Sequence, residues 1–188
     1  MEATPIDQED GRDMLVPTAR MMSWARNSTL YRLSRRMMTE RELGDAIRRK
    51  AKMKFEEISE AQLEAVVAAS IECGRQLGAL NDRAYAESKV RSSVRGGRSK
   101  RMISRKLLEK GIERETVTEV LEDADDFRAA LAYARKRGLG PFRRAEKDEK
   151  RLVRELASFA RNGFSLDLSR RIMVMEREDA EDALASQP

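Results

Sequence analysis

The sequence contains no histidine and a single cysteine, and aromatic residues make up only 5% of its 188 residues. Without histidine, the chain lacks the commonest general base and the commonest metal ligand. Ser-His and Cys-His nucleophile pairs are therefore impossible within it. The lone cysteine, Cys73, cannot form an internal disulfide, and its place on a predicted helix face indicates a buried, reduced thiol.

Other signatures of catalysis and of membrane insertion are also lacking. The sequence has no glycine-rich phosphate loop and no clustered cysteine ligands. Its uncharged apolar runs are too short for a transmembrane helix, and the polar, acidic segment Met1–Asp13 does not resemble a signal peptide. We therefore expect a cytoplasmic protein that is not an enzyme, that has no membrane partner, and that binds no metal or cofactor.

Charged residues are abundant, at 38% of the chain, and most of them are Lys, Arg and Glu. Together with Ala and Leu, and with few β-branched residues, this composition favours helix over sheet. The net charge of +5 conceals a division between the ends and the body. Residues 1–13 and residues 176–188 each carry a net charge of −4, so residues 14–175 carry +13. Because neither end shows a capped helical periodicity, we expect both ends to be mostly disordered.

Two stretches of the body contain basic residues and no acidic residue, and a third cluster lies at residues 48–54. A solvated helix face usually mixes charges of both signs, so a long stretch of one sign indicates contact with a polyanion. The candidate binding residues come from the two acid-free stretches, 89–106 and 135–144. They are Arg91, Arg95, Arg98, Lys100, Arg101, Arg105, Lys106, Arg135, Lys136, Arg137, Arg143 and Arg144.

One pattern occurs three times along the chain. Each copy has a helix with an aromatic-alanine pair, then an N-cap residue, then two apolar residues four positions apart on a second helix. The aromatic-alanine pairs are Trp24-Ala25, Tyr85-Ala86 and Tyr133-Ala134. The caps are Thr39, Ser99 and Asp148, and the apolar pairs are Leu43 and Ile47, Ile103 and Leu107, and Leu152 and Leu156.

A third helix follows each time. Gly111 and Gly163 mark the break before it in the second and third copies, and in the first copy Ser59 and Gln62 form a capping-box pattern, with Gly74 and Gly78 ending the helix. The sequence thus predicts an all-α fold of three tandem three-helix repeats, at residues 14–76, 77–123 and 124–175, that stack into an elongated, curved array. The acidic ends, residues 1–13 and 176–188, flank these repeats.

Four motifs resemble the RecX family of regulators of the RecA recombinase. They are Leu30-Tyr31-Arg32-Leu33-Ser34-Arg35-Arg36 with Glu42-Leu43, Leu80-Asn81-Asp82-Arg83-Ala84-Tyr85-Ala86, Lys106-Leu107-Leu108-Glu109-Lys110-Gly111-Ile112, and Asn162-Gly163-Phe164-Ser165. They occur in the family's order and span roughly residues 20–175. The first repeat departs from the pattern, because it lacks the Lys-Gly break.

We expect a monomer. The resemblance implies a non-catalytic protein that lodges in the groove of the RecA–DNA filament. Such a protein blocks filament extension or promotes its loss, suppresses strand exchange, ATP hydrolysis and the SOS co-protease activity, and binds single- and double-stranded DNA. Two alternatives remain open. One is a transcription regulator that resembles helix-turn-helix proteins, and the other is a protein-interaction scaffold without DNA affinity. We also expect the acidic C-terminal tail to compete with nucleic acid for the basic residues.

Overall fold

The structure, a computed structural model, describes residues 15–144 and 148–186. It forms two compact units that divide between Tyr85 and Ala86. Within the described ranges the secondary structure consists of ten α-helices and one 3-10 turn, without strands, which confirms the predicted all-α class. The boundaries proposed for the three repeats stay a prediction, and residues 1–13 lie outside the described part of the chain.

The first unit contains α1 (Ala19–Leu33), α2 (Glu40–Lys54), α3 (Glu60–Gln76) and the beginning of α4 (Asp82–Arg95). Helices α1 and α2 both pack against α3. The predicted apolar pair of α2 is completely buried and meets Val66 and Val67 of α3 and Leu80 in one core. Trp24 packs edge-on against Phe55, with 5.5 Å between ring centroids.

The second unit contains the rest of α4 and six further α-helices. They are α5 (Lys100–Glu109), α6 (Arg114–Glu122), α7 (Asp126–Arg137), α8 (Glu149–Arg161), α9 (Leu166–Met173) and α10 (Arg177–Ala185), and the 3-10 turn η1 (Gly140–Phe142) follows α7. Tyr133, Phe159 and Phe164 form an aromatic cluster in its core, with centroid separations of 5.5, 5.7 and 5.9 Å. Such offset contacts add to the free energy gained by burial alone.

The predicted helix caps are present. Side chains of Thr39, Ser99 and Asp148 accept hydrogen bonds from the first turns of α2, α5 and α8. Thr39 with Glu42, and Ser59 with Gln62, form complete capping boxes. Gly111 and Gly163 have φ angles of +84° and +82°, as the breaks before the third helices require.

A paired polar motif occurs at the beginnings of α4 and α7. Asn81 Oδ1 accepts from the N–H of Ala84 and so caps its own helix, α4, while Asp82 Oδ1 accepts from the N–H of Glu40 at the start of α2, at 2.9 Å. In the next copy Asp125 caps α7, and Asp126 Oδ1 accepts from the N–H of Lys100 at the start of α5, at 2.7 Å. The first residue of each pair therefore caps the beginning of its own helix, and the second accepts from the first N–H of an earlier helix.

Gly74 does not end α3, as the sequence had indicated, but lies inside it. The helix continues to Gln76, and Gly78, with a φ of +64°, follows its end. A Cβ atom at position 74 would lie 3.0 Å from Leu80 Cβ and 3.1 Å from Leu33 Cδ1. Glycine is needed there because two leucines pack directly onto the helix backbone.

In α8 the predicted pair Leu152 and Leu156 packs against the core of the second unit but is only half-buried. The residues of α8 that are buried are Glu155 and Phe159. The cause is a tertiary contact, because the Glu155 carboxylate accepts hydrogen bonds from Gly140 of η1 and from Arg143, which keep it buried. Cys73, expected to be buried, is half-buried and free.

The C-terminal segment, predicted to be disordered, forms helix α10 in the described residues. Ala180 is completely buried, and Ala183 and Leu184 pack against the core of the second unit. The guanidinium of Arg128 in α7 donates to the carbonyls of Leu184, at 3.0 Å, and of Ser186. The prediction failed because a short acidic helix is stabilised by its docking surface rather than by its own composition.

Candidate nucleic-acid interface

The turn between α4 and α5 carries the middle of the longer basic stretch and is held firmly in the second unit. A Cβ at Gly97, which has a φ of +74°, would lie 2.6 Å from the backbone nitrogen of Tyr133, so the turn lies directly on α7. Ser99 Oγ donates to the carbonyl of Asn162 at the end of α8, at 2.6 Å, while it accepts from the N–H of Met102. These contacts fix where α5 begins and which way its side chains point.

Helix α4 places two arginines one turn apart on its exposed side. Arg91 and Arg95 are both exposed, whereas Ala86 and Val90 are buried. Because residues four apart share one face of a helix, Arg91 and Arg95 form a short row. Arg98 follows in the turn to α5 and is also exposed.

Helix α5 repeats this arrangement. Ile103 and Leu107 are buried, and Arg101, Arg105 and Lys106 are exposed. Arg105 makes an ion pair with Glu109 at 2.8 Å, but the two side chains are 73% and 56% exposed. An ion pair of this kind contributes little to stability, so a phosphate can replace the carboxylate at small cost. We call Arg91, Arg95, Arg98, Arg101, Arg105 and Lys106 the α4–α5 basic surface.

Lys100 lies in the same stretch but has a structural role in this fold. It is half-buried, its Nζ donates to the carbonyl of Glu122 at 3.0 Å, and its N–H is bonded to Asp126. The first contact holds the beginning of α5 against the end of α6, and the second holds it against the beginning of α7. Lys100 therefore stands apart from the exposed basic residues around it.

Arg135, Lys136 and Arg137 are all exposed and occupy the last turn of α7. Cations are favourable at the C-terminal end of a helix, where backbone carbonyls carry partial negative charge. This local role accounts for the cluster without any ligand, although the three charges also face solvent and can contact an anion.

Arg143 and Arg144 have different surroundings. Arg144 is exposed, but the Arg143 guanidinium forms a two-point ion pair with Glu155, at 2.5 and 2.7 Å, with only 10% and 5% of the two side chains exposed. This hydrogen-bonded pairing raises the pKa of Arg143. The sequence suggested that Arg143 contacts DNA; in the structure it instead neutralises a buried carboxylate. The acid-free stretch gave no sign of this ion pair, because Glu155 lies twelve positions after Arg143.

The Glu155 carboxylate also connects α8 to the η1 turn. It accepts from the N–H of Gly140 at 2.9 Å. Burial by itself raises the pKa of Glu155, but the hydrogen bonds from Arg143 and from Gly140 outweigh it and hold that pKa below its ordinary value of 4.5. The group is therefore ionised at neutral pH and joins α8 to the η1 turn and to Arg143, the residue that follows this turn.

The basic cluster at residues 48–54 is partly neutralised within the first unit. Arg48 is paired with Glu64, and the Nζ of Lys52 lies 3.4 Å from a Glu60 oxygen. These two ion pairs connect α2 to α3. Another basic group was missed by the sequence analysis. Tyr31, Arg32, Arg35 and Arg36, at the end of α1, line a groove with residues of α2. The sequence analysis used this motif only for the family resemblance.

Within the described residues no helix is long and apolar enough to cross a membrane. The same part of the chain contains no group of three or more Cys, Asp or Glu side chains that could hold a metal ion.

Comparison with known proteins places these features in a family. A family model described as the second three-helix domain of RecX matches residues 81–121, which contain α4, α5 and almost all of α6. The regulatory protein RecX of Agrobacterium fabrum is 51% identical over 180 residues, which cover 95% of this chain and 98% of that protein. The regulatory protein RecX of Myxococcus xanthus is 34% identical over 159 residues, covering 80% and 84%.

Solved structures share the fold. A crystal structure of RecX from Lactobacillus salivarius aligns with a TM-score of 0.63 at 21% identity and covers 87% of this chain and 99% of that one. A second crystal structure, of a regulatory protein RecX, aligns with a TM-score of 0.64 at 22% identity and covers 92% and 80%.

Proposed function

Because the chain belongs to the RecX family of regulatory proteins, we propose that it binds the RecA recombinase and its filament on DNA and restrains their activity. The restrained steps are filament extension, strand exchange, ATP hydrolysis and the SOS co-protease activity. We propose that the protein does this as a monomer in the cytoplasm, without catalysis of its own.

The observation that carries this proposal is the α4–α5 basic surface. All six of its side chains are exposed, on two helices held by the same anchored turn, and within the described residues Arg105 is the one that makes an ion pair, with Glu109. Lys and Arg that neutralise phosphates release counterions, which gives affinity that depends on salt and little on base sequence. This is the binding mode needed by a protein that follows a filament along DNA of any sequence.

The test is the ATPase activity of RecA on single-stranded DNA with this protein titrated in. We expect the rate to fall as the protein is added, and to fall less at higher salt, where phosphate contacts weaken. A rate that stays constant while the protein is in molar excess over RecA would contradict the proposal.

A sequence-specific transcription regulator is the alternative from a different class. Base reading in the major groove relies largely on Asn, Gln and Arg at one helix. Neither α4 nor α5 contains Asn or Gln, and their exposed cations are spread over both helices. A competition assay between random and candidate operator DNA at fixed salt separates the two functions, since a specificity ratio near one rejects the regulator.

A scaffold that binds only proteins is the remaining alternative. It requires that the exposed cations of the α4–α5 basic surface serve solubility alone. A fluorescence anisotropy titration with labelled DNA at low salt decides this, because a scaffold of this kind shows no binding.

A further inference from the structure

The first unit contains a basic groove that the proposed function does not use. It lies between the end of α1, the residues that follow it, and the first half of α2. Its lining residues, which define the α1–α2 groove, are Tyr31, Arg32, Arg35, Arg36, Met38, Glu42, Asp45, Ala46 and Arg49.

Tyr31 differs from the two tyrosines that the repeat pattern predicted to be buried. Tyr85 and Tyr133 are 7% and 6% exposed, whereas Tyr31 is 60% exposed. The guanidinium of Arg35 lies over the Tyr31 ring, with 4.8 Å from its Cζ to the ring centroid. The core does not require this ring, and a planar tyrosine–guanidinium pair is the kind of surface on which nucleobases stack.

The charge of the groove is positive once local pairing is considered. Glu42 Oε2 accepts from the N–H of Thr39, its Oε1 lies 3.4 Å from Arg36, and only 14% of its side chain is exposed. Its negative charge is therefore engaged at the beginning of α2. Asp45 is the exposed carboxylate of the lining, facing a set of four arginines, and Arg36 remains 59% exposed.

The lining favours a nucleic acid over a protein segment. Protein interfaces concentrate their binding energy in clusters of exposed aromatic and apolar side chains. Here Met38 is 5% exposed and Ala46 is 5% exposed, so Tyr31 is the large apolar side chain of the lining that reaches the surface. A stacking ring surrounded by arginines suits a chain of alternating bases and phosphates.

We propose that the α1–α2 groove binds single-stranded nucleic acid, with a base stacked on Tyr31 and Arg35 and phosphates on Arg32, Arg36 and Arg49. The choice of ligand rests on the proposed function, but the site lies in the first unit and shares no residue with the α4–α5 basic surface. It adds a preference for unpaired bases, which phosphate contacts alone do not supply.

The experiment measures anisotropy of a labelled oligothymidylate and of a labelled duplex with the full chain. Tyr31→Ala removes the ring without changing charge, and we expect it to weaken oligothymidylate binding about fivefold or more, the lower range for one stacked base. Duplex binding and the dependence of affinity on salt should stay as in the wild type. Tyr31→Phe keeps the ring and should bind normally.

Arg36→Ala and Arg49→Ala should each lower the salt slope by about 0.7, as expected for one phosphate of a single strand. Arg20→Ala is the matched control, because it removes an exposed arginine of α1 outside the groove. Thermal melts followed by circular dichroism show that each variant is folded.

Three results would overturn the inference. The first is an unchanged oligothymidylate affinity of Tyr31→Ala, and the second is an equal loss for the duplex. The third is normal DNA affinity with lost binding to RecA in the absence of DNA, which would assign the groove to a protein partner. If the wild type fails to inhibit RecA, the proposed function is contradicted. The oligothymidylate measurements still test whether the α1–α2 groove binds single-stranded nucleic acid.

Discussion

The carboxylate of Asp126, the first residue of α7, accepts a hydrogen bond from the backbone N–H of Lys100, the first residue of α5, at 2.7 Å. The first four N–H groups of a helix have no partner within it, and an anion there also meets the positive end of the helix dipole. Asp82 makes the same contact with Glu40 of α2. Asp82 and Asp126 therefore each connect the beginning of their own helix to the beginning of an earlier helix.

Asp126→Ala should lower the free energy of unfolding by about 1 kcal/mol, because the N–H of Lys100 loses its acceptor. Asp82→Ala should cost a similar amount through Glu40. The measurement is chemical denaturation followed by circular dichroism. Asp123→Ala, which removes an exposed carboxylate near the same turn, serves as the control, and an equal loss in that variant would contradict the assigned role.

The buried pair of Arg143 and Glu155 leads to a larger effect. Arg143→Ala leaves an uncompensated buried carboxylate, and we expect it to cost about 3 kcal/mol of unfolding free energy. Arg144→Ala, the exposed neighbour, should be near neutral. The double change Arg143→Met with Glu155→Leu should recover only part of the loss, because the N–H of Gly140 then loses its acceptor. If the losses of unfolding free energy caused by the separate changes at Arg143 and Glu155 simply add in the double variant, the pairing is contradicted.

The same carboxylate predicts a dependence on pH. The folded-state pKa of Glu155 is lowered, so the folded protein releases this proton more readily than the unfolded chain. Its contribution is therefore present above the unfolded pKa of 4.5 and is lost as pH falls through the folded value. The difference in unfolding free energy between the wild type and Glu155→Gln should shrink as the pH falls below the unfolded pKa. A difference that stays constant from neutral to acidic pH would exclude this linkage.

Local features of the fold could be predicted from the sequence. The caps at Thr39, Ser99 and Asp148 and the breaks at Gly111 and Gly163 depend on residues within a turn or two of each other. Such contacts are determined by backbone geometry, so their signals are readable in the sequence alone.

Features that depend on distant residues could not be predicted in this way. The inward turn of Glu155 follows from Arg143 and Gly140, and the docking of α10 follows from Arg128 and the core of the second unit. The candidate site shows the same limit. The charge run identified exposed arginines of α4 and α5, but it also included Arg143, whose surroundings are set by another helix.

The docked helix α10 changes how the acidic tail should be tested. Removing residues 176–188 would expose the surface that covers Ala180, so a loss of stability would accompany any change in DNA affinity. Neutralising Glu178, Asp179 and Asp182, which are exposed, leaves the packing intact. We expect this triple amide variant to bind DNA more tightly at low salt, because it removes like-signed repulsion with phosphates.

The measurement for the tail is anisotropy at low and at high ionic strength. At about 0.1 M salt the screening length is about 10 Å, so the gain should fade as salt increases. An affinity that equals that of the wild type at low salt would show that the acidic side chains of α10 do not influence the nucleic acid.

Reversing three charges of the α4–α5 basic surface is the strongest test of the proposed function. The triple change of Arg91, Arg95 and Arg101 to Glu should weaken DNA binding, lower the salt slope by about 0.9 for each lost duplex contact, and reduce inhibition of the RecA ATPase. Because all three side chains are exposed, the fold should persist. DNA anisotropy and the ATPase assay are measured on the same preparation.

Net charge alone could produce part of this effect, so the control changes it equally. Arg20, Arg26 and Arg41 are exposed in the first unit and lie outside the α1–α2 groove, and their reversal to Glu gives the same net charge. If binding depends on position, this control loses much less affinity than the α4–α5 variant. If both variants lose affinity and inhibition equally, the basic surface acts only through the total charge of the protein. If the α4–α5 variant loses DNA affinity but still inhibits RecA, inhibition depends on protein contacts elsewhere on the chain.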